Sequence, residues 1–390
     1  MTRSIPLVTL TILTFGCASI PERQPLPAEL ADAAKVPGFP AVRFWGDTTP
    51  PFAEAWLAAP EAEIESRLAG VMDREHVYLA ISGGGQNGAF GAGLLKGWSE
   101  RGTRPEFTIV TGISTGALIA PFAFLGSDYD DELEEVYTTY SSLDLVTPNS
   151  TLVTVTGDSA ASTAPLRQKI AEYFDREVVD AIARESAKGR ELLIGTTQMD
   201  AGRPMIWNMG AIASSDAPGA LDLFHDVLLA SASIPVAFPP VMIEVEAGGE
   251  RYDEMHLDGG ATTQVFWYPA GLDWALVTDR LRVRGKPQLY VIRNGTRLPP
   301  YQVTERSLLA IADRTFTTLF HTQGVGNIFQ LHANAERDGM DFHLARIPKD
   351  FEHPITEPFD KAYMGALFAR GYELGRDGSP WKTEPEQFYE

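Results

Sequence analysis

Residues 107–118 read FTIVTGISTGAL. A short apolar run leads into Gly112 and Gly116, which bracket Ser114, and the helix-forming run ALIAPFAFLG (117–126) follows. The apolar run predicts a buried strand, and the G-x-S-x-G spacing predicts a sharp strand-to-helix turn with Ser114 at its tip. Gly-Ser turns are also ordinary loop punctuation, so the motif needs support from the rest of the chain.

Upstream the pattern repeats. HVYLAIS (76–82) is another short apolar strand, and ISGGGQNGAFGAG (81–93) carries the chain into a helix. Gly83, Gly85 and Gly88 satisfy G-x-G-x-x-G, a dinucleotide fingerprint. Dinucleotide binding needs an acidic residue at the end of the next strand, and TGISTG has none; a P-loop needs Gly-Lys-Ser/Thr, which is also missing. Glycines at a helix start instead let backbone N–H groups face a small anion, helped by the helix dipole. An ester under attack needs such donors where its carbonyl oxygen turns negative, and losing one raises the barrier by about 2.7–4 kcal/mol.

Downstream, ELLIGTTQMD (191–200) and RPMIWNMG (203–210) predict a hairpin, and MIEVEAGGERYDEMHLDGG (242–260) predicts two strands. KPQLYVIRNG (286–295) and MDFHLARI (340–347) are further strands. EAWLAAPEAEIESRLAGVM (54–72) reads as helical, a long helical region covers about 304–337, and a last helix lies near 358–377. SLDLVTPNSTLVTVTGDSAAS (142–162) reads as a long loop. Continuous apolar strands alternating with helices predict an α/β sheet covered on both faces.

A serine hydroxyl attacks only when a base takes its proton. The seven histidines (His76, His225, His256, His321, His332, His343 and His353) sit in no distinctive local motif. Asp258, in MHLDGGAT (255–262), ends a strand just before Gly259 and Gly260. A carboxylate is a weak base in water, and burial beside apolar groups makes it a stronger one. His256 lies two residues before Asp258, on the same strand face, which leaves a Ser–His–Asp arrangement open as well.

In order, GGGQNG, GISTG, ASASIPVAFPPV (230–241) and DGG resemble the patatin-like phospholipase family over about residues 76–262. The resemblance implies a patatin-like three-layer α/β fold with a mostly parallel central sheet and helices on both faces. It implies a Ser–Asp dyad without histidine, with Ser114 the nucleophile and Asp258 the base. The N–H groups of Gly83, Gly84, Gly85 and Gly88 would form the oxyanion hole, with Gly112, Gly116, Gly259 and Gly260 as motif glycines. Asn87 departs from the family, many of whose members have Arg or Lys there. The implied activity is release of fatty acid from lipid esters through an acyl-enzyme, with no metal or cofactor. The same residues would serve an acyltransferase or a thioesterase. A non-catalytic acyl-binding lipoprotein is the reading from another class.

The 390-residue chain carries a net charge of −20, which argues against a nucleic-acid partner. Its start, MTRSIPLVTLTILTFGCAS, has Arg3, an apolar run and then Cys17, the one cysteine present. The pattern predicts a signal peptide over 1–16 and resembles a bacterial lipoprotein signal with Cys17 as the acylated residue. Seven prolines between Pro21 and Pro51 predict a tether over 17–51, with RFWGD (43–47) docking on a domain that spans 52–390. Lipidation would tether that domain to a bacterial envelope membrane, and Ala18 resembles outer-membrane sorting; an ordinary secretory signal is the alternative. No pattern specifies an oligomer.

Overall fold

The computed structural model describes residues 22–149, 158–268, 271–299, 301–378 and 380–385. The predicted signal segment 1–16 and Cys17 lie outside them.

The fold is α/β, built on one mostly parallel sheet. Its strands are β1 (Arg43–Trp45), β2 (Val77–Ile81), β3 (Ile109–Ile113), β4 (Glu191–Gln198), β5 (Arg203–Asn208), β6 (Val241–Ala247), β7 (Glu250–Asp258), β8 (Gln288–Arg293) and β9 (Asp341–Arg346). The lateral order is β1-β5-β4-β3-β2-β8-β9, with β6 and β7 hanging from β4 as a hairpin. Strands β4, β3, β2, β8 and β9 run parallel, so the loops after β2, β3, β8 and β9 leave from one edge. β2 and β3 are buried along their whole length, as continuous apolar runs demand in a sheet covered on both sides. Along β2 the side chains alternate between two cores. Val77, Leu79 and Ile81 face one, and Tyr78 and Ala80 face the other.

The first face is covered by α1 (Gly88–Glu100), α2 (Thr115–Leu125), α3 (Ala220–Ser231) and α5 (Lys361–Asp377). α5 lies directly on α1: a Cβ at Gly93 would sit 2.0 Å from the Phe368 carbonyl, and one at Gly371 2.3 Å from that of Phe90. α4 (Leu308–Arg337) contributes Ile328, Leu331 and Ala335 to the second face.

Three expectations change. The stretch 54–72 is two helices, Ala53–Ala58 and Glu61–Leu68, because Pro60 removes an N–H donor and starts the second one. Within 142–162, residues Ser142–Leu145 are helical and 147–148 pair with 161–162; positions 150–157 are outside the described residues. The Pro-rich stretch is not a tether from residue 22 onward. Leu26, Val36, Phe39 and Val42 are buried, Lys35 and Glu246 exchange backbone hydrogen bonds, and β1 pairs antiparallel with β5. Fully burying such side chains is worth about 1.5–3 kcal/mol each, which outweighs the extended bias of the prolines. RFWGD docks as expected, with Trp45 Nε1 donating to Asp32 at 2.8 Å.

Candidate active site

Sheet register brings the two predicted residues together. On β4, Gly195 pairs with Ile113, the last residue of β3, and the next residue, Thr196, pairs with Asp258 at the end of β7. β3 therefore stops at Ile113 and β7 takes over its lane along β4. Ser114 turns out of that lane into α2 where Asp258 arrives.

Ser114 adopts φ 56° and ψ −123°, a left-handed-side conformation rare for a residue with a side chain. The turn is tight enough that a Cβ at Gly112 would lie 2.4 Å from the Gly116 carbonyl, and one at Gly116 2.3 Å from that of Ile81. Ser114 and Asp258 are both buried where the ends of β3 and β7 meet along β4. Burial pushes the Asp258 carboxyl up to about 6, against the pull of the Ser114 hydroxyl and of the Gly260 N–H, which donates to Oδ1 at 2.7 Å. Gly259 starts the single helical turn after Asp258, packed against the Gly195 carbonyl.

The Gly-rich loop lies alongside. Gly84 and Gly85 both have positive φ, 155° and 56°. The Gly83 N–H donates to the Gln264 carbonyl at 3.0 Å, and that of Gly88 donates within the turn to Gly85 and Gln86. Both are thus occupied, which narrows the four predicted donors to two. Among the described residues the N–H groups of Gly84 and Gly85 meet no acceptor. Asn87 Oδ1 accepts from the Tyr363 hydroxyl at 2.7 Å, and Gln86 Oε1 accepts from the Asp360 N–H at 3.0 Å. The start of α5 thus holds the loop where Asn87 stands in place of the family's Arg or Lys.

His256 is turned to other work. Its Nδ1 meets Thr196 Oγ1 at 3.0 Å and its Nε2 meets Glu254 Oε2 at 3.1 Å, so both ring nitrogens are engaged away from Ser114. Among the described residues no group of three or more His, Cys, Asp or Glu side chains is arranged to hold a metal ion.

A cleft opens onto Ser114 and Gly85. Its walls are mainly apolar, with Leu118, Phe122, Leu166, Ile170, Phe174 and Phe238 among them, and Gln86 and Lys169 as polar members. A cleft with this apolar lining suits an aliphatic chain.

Four supporting residues escaped the sequence reading. Ser231 Oγ accepts the Ser114 N–H at 3.0 Å, and the Ser233 carbonyl accepts that of Asp258 at 2.9 Å. Asn294 reaches from the end of β8 to Ser82 and Gly91, and Gln264 Nε2 holds the Gly260 carbonyl at 2.9 Å. Asn294 had one usable signal: a polar residue at the carboxyl end of a parallel strand, where α/β sheets place their ligands.

An α/β sheet that sets a strained serine and a buried carboxylate at one edge, beside an apolar cleft, has the parts for attack on an ester. Residues 79–270 match the Patatin-like phospholipase family, a family of lipid hydrolases. Among solved structures, the chain is similar to VipD from Legionella pneumophila, 14% identical with a TM-score of 0.39, covering 80% of this chain and 68% of that one. The human GIVD cytosolic phospholipase A2 is 10% identical with a TM-score of 0.35, covering 86% of this chain and 63% of that one. No curated protein matches the sequence.

Proposed function

We propose that the chain is a serine acyl hydrolase of the phospholipase A or lipid esterase type, working through a Ser114–Asp258 dyad. The observation that carries this reading is the strained, buried Ser114 at an apolar cleft, with Asp258 brought into the same lane by the register of β4. An acyl chain lies in the cleft with its ester carbonyl over Ser114. Asp258 takes the hydroxyl proton as Ser114 attacks, and the Gly84 and Gly85 N–H groups receive the oxyanion. The alkoxide leaves with a proton from Asp258, giving the acyl-enzyme. Water deprotonated by Asp258 then releases the fatty acid and restores the serine. The test is fatty-acid release from phospholipid and from p-nitrophenyl esters by wild type, Ser114→Ala and Asp258→Asn. The reading requires both variants to be folded and inactive; turnover in Ser114→Ala refutes it.

We further propose that Cys17 carries acyl chains that hold the domain at a bacterial envelope membrane, with 52–390 and the docked stretch from 22 acting as one unit. Labelled palmitate incorporated by wild type and absent from Cys17→Ser supports this; equal labelling refutes it.

A further inference from the structure

The loop after β8 and the first half of α4 expose an apolar surface that the fold does not cover. Leu298, Tyr301, Leu308, Ile311, Phe316 and Leu319 are all exposed, Tyr301 at 94% and Leu308 at 83%. At 100° per residue the four on the helix fall within an arc of about 140°, one face of an amphipathic helix. The helix start is well formed, with Ser307 Oγ accepting the Ala310 N–H at 3.2 Å.

Its place is informative. β8 runs parallel to β2 in register, so residues after Arg293 leave from the edge that carries the Gly-rich loop and Ser114. Asn294 bonds Ser82 directly, and further along α4 Asn327 Oδ1 accepts from the Gln264 N–H at 2.9 Å. Ile355, in the loop after β9 at the same edge, is also exposed. The apolar surface thus starts from the sheet edge that carries Ser114.

Its charge is as distinctive. Residues 294–321 hold Arg297, Arg306 and Arg314 against Glu305 and Asp313, a local net of +1 in a chain of −20. Arg293 and Arg314 both lie close enough to His321 to oppose its protonation. A protein of such overall charge is repelled by an anionic surface except where it turns a basic face to it. Exposed aromatic and aliphatic side chains interleaved with arginine, on a helix lying along a surface, match a lipid headgroup boundary. No helix among the described residues is long and apolar enough to cross a membrane, so the contact would lie on the bilayer.

We infer that Leu298, Tyr301, Leu308, Ile311, Phe316 and Leu319 form the surface by which this chain docks on an anionic phospholipid bilayer. The inference rests on the hydrolase reading, and the experiment separates the two. Full-length protein carrying Cys17→Ser, to remove any acyl anchor, and Ser114→Ala, to prevent turnover, is sedimented with phosphatidylcholine vesicles with and without phosphatidylglycerol. The expected result is binding that strengthens with phosphatidylglycerol. Adding Leu308→Glu, Ile311→Glu and Leu319→Glu should weaken it by about tenfold or more. The same three changes with Ser114 intact should leave hydrolysis of a soluble short-chain ester unchanged. Equal sedimentation of both proteins, or none by either, overturns the inference. So does a fall in solution molar mass on the triple change, which would make a second copy the occupant. Absence of fatty-acid release from detergent-dispersed lipid by the Ser114 enzyme would instead sink the hydrolase reading.

Discussion

The Ser114 backbone N–H donates to Ser231 Oγ at 3.0 Å, and that hydroxyl donates onward to the Gly195 carbonyl at 2.7 Å. One buried side chain therefore ties the strained turn to β4, the strand that also pairs with Asp258. Ser231→Ala leaves a buried N–H and a buried carbonyl without this partner, a loss of about 1–3 kcal/mol of stability. It also frees the turn to relax from its left-handed conformation. We expect kcat to fall about tenfold or more with KM for a soluble ester little changed, read by urea unfolding and steady-state hydrolysis together. Unchanged kcat would show that the turn holds without Ser231.

Asp258 gives two pH signatures. As a base it must be ionised, so kcat/KM should rise with pH through a midpoint at about 6. The stability effect has its own sign. The folded carboxyl titrates above its ordinary value of 3.8, so its contribution is fully present below that value and is lost as pH rises through about 6. The loss is on the order of 3 kcal/mol. Asp258→Asn avoids it: the variant should be inactive yet more stable than wild type near neutral pH, with the advantage gone in acid. Urea titrations at both pH values decide this, and a variant less stable at neutral pH would contradict the assignment.

The strand and turn positions that set the site were readable because each needs a residue type that little else explains. Gly112 and Gly116 are required by backbone contact, and Ser114 and Asp258 close two strands that share one lane. The docked Pro-rich stretch was not readable, because proline composition reports backbone bias while burial of Leu26, Val36 and Phe39 depends on partners far along the chain. Which N–H groups of the Gly-rich loop stay without an acceptor was only half readable. Sequence marks the glycines, but the partner of Gly83 is Gln264, 181 positions away, and only the fold reveals it.

Arg43 and Glu254 form a buried ion pair, with Nη2–Oε1 at 3.0 Å, and His256 completes it. Burial alone would raise the Glu254 carboxyl, but His256 and Arg43 hold it at about 2. Removing one partner of a buried pair typically costs about 3–5 kcal/mol, so Arg43→Met should destabilise the domain by that order and detach the N-terminal stretch. Limited proteolysis should then cut before residue 45. His256→Gln should be less stable too, yet keep turnover per folded molecule within about threefold of wild type, because its ring does not serve Ser114. Loss of all turnover in a folded His256→Gln would revive the histidine triad.

The cleft sets the last expectation. Ile170 is buried and lines it beside Phe122 and Phe174, whose rings stack with centroids 4.9 Å apart. Ile170→Trp fills the cleft part-way along while leaving Ser114, Asp258 and the Gly-rich loop untouched. Each methylene of a bound acyl chain contributes about 0.8 kcal/mol, so excluding four of them removes about 3 kcal/mol. If that binding is expressed in the transition state, kcat/KM on a long-chain ester should fall about 100-fold or more. An acetyl ester does not reach the tryptophan and should be turned over as by wild type. The ratio of the two activities is the readout, because damage to the fold or the dyad would lower both together. A proportional loss on both esters would mean that the acyl chain does not lie in this cleft.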